Sequence, residues 1–242
     1  MNNKPLQQWL LILFCSLLLS ACASNVPISD PENDPWERYN RSVHKFNKTF
    51  DKALYKPLAS GYNKITPEPI KEVLGNFLNN LAYPNTIINL FLQGQFRNGL
   101  TGTGRFLINS TVGIFGIFDV ASSAEIPLHD EDFGQTLAVW GWDNSRYFVL
   151  PVFGPSTIRD GFGRIGNTYM DPVSYLASKE NIWAPWIIDK LHVRVRLMNQ
   201  EETIESSYDP YIFIRDAWLQ NREFKIYNGD PPALDYEAFL EE

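Results

Sequence analysis

Residues 106–121 read FLINSTVGIFGIFDVA, and the fold turns on how this stretch is placed. Within it Val112, Gly113, Ile114, Phe115, Gly116, Ile117 and Phe118 are apolar without a break. A helix built from them has no polar face, and such a helix must be buried in protein or in lipid. Crossing a bilayer takes about 20 residues, so the segment is too short to span. Six of the fifteen glycines fall between residues 94 and 116. Small residues at close spacing let helices approach at van der Waals distance, as they do in membranes. Periodicity alone leaves a buried core helix open as the alternative. We read the segment as a hairpin or bent helix that dips into one leaflet.

Upstream, Asp34, Pro35, Trp36 and Glu37 form a helix start: a cap, a proline at the first position and a Glu three residues after the cap. Trp36, Tyr39, Val43, Phe46, Phe50 and Leu54 follow at steps of three and four, as one apolar stripe. Thr66, Pro67 and Glu68 open a second helix with a ladder from Ile70 to Leu81 that Pro84 breaks. Residues 85–93 make a third helix, ending at Gly94. Downstream, residues 129–132 (HDED) read as a solvated acidic turn and residues 133–139 as a short helix capped by one of those acids. Residues 141–146 are a turn. Residues 147–152 (YFVLPV) have the best strand composition, cut short by Pro151. Residues 154–156 (GPS) read as another turn and residues 157–169 as a glycine-tolerant helix that Asp171-Pro172 stops or restarts. The longest helical pattern covers residues 184–207, with Arg194 and Arg196 on its polar side. Asp209-Pro210 restarts the chain for a last helix over residues 211–224. No repeat and no second core is visible. The expectation is one mostly α domain, residues 34–228, and an acidic tail, residues 229–242, that frays.

Composition agrees with a single globular domain: 44% hydrophobic and 20% charged over 242 residues. Lys+Arg 21 against Asp+Glu 28 gives −7, without the basic excess that phosphate neutralisation requires, so no nucleic-acid partner is expected. A mean hydropathy of −0.23 excludes a polytopic membrane protein. At the N-terminus Lys4 precedes an apolar run, residues 9–19 (WLLILFCSLLL), which suits a signal-peptide core. Leu19-Ser20-Ala21-Cys22 follows directly and resembles the bacterial lipobox. Residues 1–21 are then a signal peptide, Cys22 the lipid-attachment site and residues 22–33 a flexible polar tether. Acyl chains contribute about 0.8 kcal/mol per buried methylene, so three of them hold a protein on a membrane essentially permanently. Ala23 in place of an Asp favours the outer membrane, periplasmic face.

Chemistry is sparse. His44, His129 and His192 have no partner at metal-ligand spacing, and the mature chain keeps one cysteine. The HDED turn lacks the alternating ligands and glycine of a calcium loop. Neither a G-x-S-x-G elbow nor a glycine-rich loop with Lys-Ser/Thr occurs. The expectation is a protein that is not an enzyme and uses no cofactor or metal.

An ordered set of short motifs carries a resemblance. It runs through Asp34-Pro35-Trp36-Glu37, Asn40-Arg41, Phe46-Asn47, Tyr83-Pro84-Asn85 to Gln93-Gly94, Arg105-Phe106 and Asn109-Ser110-Thr111. It continues through Gly113, Gly116, Asp119-Val120-Ala121, Asp132-Phe133-Gly134-Gln135-Thr136-Leu137, Leu150-Pro151, Gly154-Pro155-Ser156, Arg159-Asp160 and Asp209-Pro210-Tyr211. The set is similar to the VacJ/MlaA lipoprotein family and covers roughly residues 34–227. The resemblance implies a helical ring embedded in the periplasmic leaflet of the outer membrane, around a polar channel. Phospholipids that strayed into the outer leaflet would pass through it to a periplasmic carrier of the MlaC type, for return to the inner membrane. It also implies contact with trimeric porins of the OmpC/OmpF type. Such a channel must shelter a charged headgroup from hydrocarbon. Arg105, Asn109, Ser110, Thr111 and Asp119, which flank the leaflet segment, are therefore the candidate channel or lipid contacts. The alternative for Arg105 and Asp119 is a structural ion pair. Gly141 is a hinge candidate. The family's turn there is glycine-rich and ends in Gly-Pro-Tyr, whereas residues 142–147 here read WDNSRY, with fewer flexible positions. The competing function is a non-transporting scaffold or adaptor lipoprotein associated with porins, which has no need of a glycine-rich leaflet segment.

Overall fold

The computed structural model describes residues 28–172, 174 and 183–232. Cys22, the lipobox, half of the tether and most of the acidic tail lie outside the described residues. As expected, the fold is mostly helical. α1 (Glu37–Phe50) carries the apolar stripe and runs through one π turn (Asp51–Tyr55) into α2 (Lys56–Ile65). Then come α3 (Glu68–Leu92), α4 (Phe96–Thr111), α5 (Val120–Ser123) and α6 (Phe133–Val139). A hairpin of β1 (Tyr147–Leu150) and β2 (Gly154–Thr157) leads into α7 (Ile158–Met170). The chain closes with α8 (Trp183–Leu197), a 3₁₀ turn (Met198–Gln200), α9 (Glu201–Ser206) and α10 (Pro210–Ile226).

Several boundaries differ from the sequence reading. α3 runs unbroken through Pro84 and absorbs the expected third helix. An interior proline costs roughly 3 kcal/mol, but α3 packs along α4 and also meets α6, α7 and α8, and this tertiary packing prevails. The helix ends at Gly94 (φ +76), where the Gly94 and Gln95 amides close on the carbonyls of Phe91 and Leu90. Residues 154–156 are strand, not turn: Tyr147 pairs with Thr157 and Leu150 with Gly154, antiparallel. The pattern over residues 184–207 is divided at Met198 by the 3₁₀ turn. Arg194 on it is mostly buried and forks onto Asp51 at 2.7 and 2.8 Å.

Asp34 does not cap α1. Trp36 holds that position without a side-chain bond. Asp34 is fully buried instead, accepting from Asn40 Nδ2 (2.7 Å) and the Tyr211 hydroxyl, with Arg215 at 3.5 Å. Glu37 turns to Arg41 (2.7 Å) and Ser29. The edge of β1 lies along α1 and is filled by its asparagines. Asn40 accepts from the Val149 amide (2.9 Å), and Asn47 accepts from Val152 and donates to the Leu150 carbonyl (2.7 and 2.9 Å).

Val43, Tyr147, Val149 and Tyr211 form the core where α1, the hairpin and α10 meet. It is small. Among the described residues, nine buried side chains are apolar and sixteen are polar or charged. That inverts the usual partition in water. Large apolar side chains stand outside, including Phe96, Leu100 and Leu107 on α4 and Phe162, Ile165 and Tyr169 on α7. No described helix is long and apolar enough to cross a membrane.

Candidate functional site

Residues 112–118 form neither a core helix nor a regular bent one. After α4 the chain reverses in a tight turn in which Ile114 (φ 51), Phe115 (φ 57) and Gly116 (φ 87) are left-handed. Bulky residues enter this region at a cost of order 1–3 kcal/mol. The turn's own backbone bonds hold them there: Phe115 N–H to Ser110 (3.0 Å), Gly116 to Asn109 (2.7 Å) and Phe118 to Gly113 (2.9 Å). Gly113 and Gly116 are buried, and a Cβ on Gly116 would run into the Asn80 side chain. Val112, Ile114, Phe115 and Phe118 project outward, with Phe115 73% exposed.

A clamp sits directly behind the turn. Arg105, 3% exposed, donates to both oxygens of Asp119 (2.7 and 2.6 Å), to Ser122 Oγ (2.7 Å) and to the Ile126 carbonyl (2.7 Å). Asn109 donates to Asp119 (2.9 Å) and accepts from the Ala121 amide (2.9 Å). Asp119 also caps α5 through the Ser122 amide (3.0 Å). Burial pushes the Asp119 carboxyl up, but the Ser122 and Asn109 donors and the Arg105 charge outweigh it and hold it below its ordinary value. Three of the five flanking candidates are thus brought together. The other two are not: Ser110 accepts from Asn80 (3.0 Å), and Thr111 turns back to the Leu107 carbonyl (2.6 Å).

Arg105, Asn109 and Asp119 form one wall of a cavity of about 390 Å³. The opposite wall is α3, with Asn76, Asn79, Asn80, Tyr83 and Thr86, and the floor is the loop from Leu128 to Asp132. These α3 residues carry the cavity's neutral polarity, and sequence reasoning did not single them out. Their signal was a polar face at helical spacing, opposite the apolar ladder.

The loop corrects another expectation in part: Asp130 stays exposed, but Glu131 and Asp132 are drawn into the protein. Glu131 is 5% exposed and accepts from the side-chain amides of Gln93 (2.9 Å) and Gln135. Asp132 caps α6 (3.0 Å to the Gln135 amide) and takes Arg222 of α10 at 2.6 and 2.7 Å. Arg222 reaches on to Asp160 of α7 at 2.8 and 3.0 Å. Asp130 pairs with Lys225 at 2.5 Å. Burial and the nearby Arg105 charge push His129 below its ordinary value, so it is neutral at pH 7. No group of three acids, histidines or cysteines that could hold a metal occurs among the described residues.

Gly141 (φ +105) closes α6: its amide bonds to Ala138 (2.9 Å) and that of Trp142 to Leu137 (3.0 Å). The turn beyond it is tied down, since Arg159 donates to the carbonyls of Trp142 and Asp143 (3.1 and 3.2 Å). Cys22 lies outside the described residues.

Comparison with known proteins places this geometry in a family. The family model described as MlaA lipoprotein matches residues 32–225. The "Intermembrane phospholipid transport system lipoprotein MlaA" of Escherichia coli K12 is 32% identical over 216 residues, covering 88% of this chain and 85% of that protein. Its namesake from Haemophilus influenzae is 32% identical over 228 residues, 90% of this chain and 89% of that protein. An uncharacterised Rickettsia prowazekii protein is 35% identical over 197 residues, 80% and 78%. A solved structure described as "Structural basis for maintenance of bacterial outer membrane lipid asymmetry" matches with a TM-score of 0.72 at 30% identity, over 80% of this chain and 98% of that one.

Proposed function

We propose, since the chain belongs to the MlaA lipoprotein family, that it removes mislocalised phospholipids from the outer leaflet of the outer membrane and so maintains lipid asymmetry. One observation carries this reading: a polar cavity lies directly behind a turn whose Val112, Ile114, Phe115 and Phe118 are exposed and form no part of its lining. Every amide from Val112 to Phe118 donates to a carbonyl within residues 108–114, and hydrocarbon demands such internal pairing of an inserted segment. Residues 112–118 sit in the leaflet, and a headgroup enters between α3 and α4. There amides replace the water it loses. Arg105 has its charge committed to Asp119, so it acts as a positioning residue that sets the wall. Lipid moves through without chemical change.

The rest of the reading follows the same lines. Residues 1–21 direct export and Cys22 carries the acyl anchor on the periplasmic side. The recipient is a soluble carrier of the MlaC type, and trimeric porins of the OmpC/OmpF type flank the ring. The test is phospholipid exposed at the cell surface of a deletion strain. Exposure is expected to rise on deletion, fall with the wild-type gene, and stay high with Cys22→Ala or Phe115→Asp. Unchanged exposure on deletion overturns the proposal in favour of a scaffold.

A further inference from the structure

Each carboxylate on the cavity wall has a cation except one. Asp119 has Arg105 at 2.6 Å, Asp132 has Arg222 at 2.6 Å and Asp130 has Lys225 at 2.5 Å. Glu131 is as buried as any of them and has no cation among the described residues. Its Oε2 accepts both of its hydrogen bonds, from Gln93 and Gln135. Its Oε1 accepts none among the described residues. Yet no fully buried side-chain oxygen or nitrogen among the described residues lacks a partner. Oε1 is therefore not fully enclosed, and Glu131 is one of the residues that line the cavity.

Such a carboxylate is costly to keep, because burial disfavours its charge. Burial, with Asp132 and Asp130 close by, pushes its carboxyl above the ordinary value against the pull of Gln93 and Gln135. The fold does not require the charge: a glutamine carbonyl would accept the same two bonds. A ligand would require it. Across the cavity Asn76 and Asn79 offer neutral N–H donors suited to a phosphate.

We propose that Glu131 Oε1 accepts an N–H bond from the ammonium of an amine-bearing, zwitterionic phospholipid headgroup, giving the cavity a preference for such lipids over anionic ones. This rests on the lipid-conduit reading above.

The full-length lipoprotein, purified in mild detergent, is incubated with vesicles of equal phosphatidylethanolamine and phosphatidylglycerol. It is then re-isolated, and its bound lipid is quantified. A charge-assisted hydrogen bond corresponds to about a tenfold preference for phosphatidylethanolamine. Glu131→Gln is expected to bring the ratio toward one with total lipid unchanged. Equal binding by the wild type, or an unaltered ratio in Glu131→Gln, overturns the proposal. N-acetylated phosphatidylethanolamine needs no variant: it loses the cation and is expected to bind like phosphatidylglycerol. Binding equal to that of its parent lipid also overturns the proposal. Displacement of lipid by free ethanolamine at equal concentration would assign the carboxylate to soluble amines instead, against the headgroup. If no phospholipid binds in any mixture, the conduit reading falls first and takes this inference with it.

Discussion

The frame and the turn are both held by ion pairs and hydrogen bonds to carboxylates, but over very different reaches of chain. In the frame of α1, the hairpin, α6, α7 and α10, Tyr211 meets Asp34 across 177 residues and Arg222 meets Asp132 across 90. Around the turn, Arg105 meets Asp119 across 14 and Asn109 meets Asp119 across 10. The frame also encloses an apolar core, whereas the turn sends its apolar side chains outward. A long-range network makes one region depend on all the others. A short-range one makes a unit whose shape is its own, so it can rest in a different solvent from the remainder.

The comparison is broken or sharpened by substitution. Arg222→Met removes the cation from Asp132 and one of the two from Asp160, 7% exposed, which keeps Arg159 at 3.2 Å. It is expected to cost about 3 kcal/mol or more in urea unfolding. A loss below about 1 kcal/mol would remove the network from the account of the frame. Gly163→Ala comes next: its Cβ would stand 2.6 Å from the Gly134 backbone nitrogen where α6 crosses α7. Overpacking of this kind costs about 1–3 kcal/mol and should lower the thermal midpoint. Arg105→Met is expected to cost about 1–2 kcal/mol, because Asp119 keeps its Asn109 and Ser122 donors. Its signature is local: amide exchange should quicken over residues 112–124 and not in α10. If both change together, the turn is not a separate unit.

Acid tests the same clamp. The folded Asp119 carboxyl titrates below its ordinary value of 3.8. The clamp therefore stabilises fully above that value, and its contribution is lost as pH falls through the lower folded value. Asp119→Asn should flatten this part of the pH profile. Equal acid sensitivity in the variant would place the loss elsewhere. The smallest expected effect on stability is that of Phe115→Asp, within about 0.5 kcal/mol, since the ring touches little protein. In protein without its acyl chains (Cys22→Ala), its vesicle binding should nonetheless collapse. A large loss of stability there would mean that the ring is packed against protein after all.

Local signals were legible where the partner lies close in sequence. Asp132, Thr157 and Asp209 each cap the helix that follows, and Gly94 ends α3. The unbroken apolar run of residues 112–118 also pointed outward from a soluble core. What failed depended on distant partners. Asp34 has the sequence context of a cap, but its partners are Tyr211 and Arg215, and no periodicity encodes them. HDED looks like a surface turn until Gln93, Arg222 and Lys225 arrive from α3 and α10. Pro84 is overridden by packing on both sides. The cavity wall of α3 was hidden for a further reason: a helix face lined with asparagine reads the same whether it meets bulk water or an enclosed polar space.

The asparagines of α1 have a consequence for how copies of the chain behave together. A two-stranded sheet normally presents two open ladders on which another chain's strand can grow. Here Asn40 and Asn47 occupy the outer side of β1. Because the Val149 amide points to Asn40, its partner Pro155 turns its ring nitrogen, which has no hydrogen to donate, to the outer side of β2. The hairpin therefore offers β1's edge to no one and β2's edge only in mutilated form. Crowded copies gain no template for cross-chain strand exchange, and the sheet is sealed against polymerisation by a helix on one flank and an imino acid on the other.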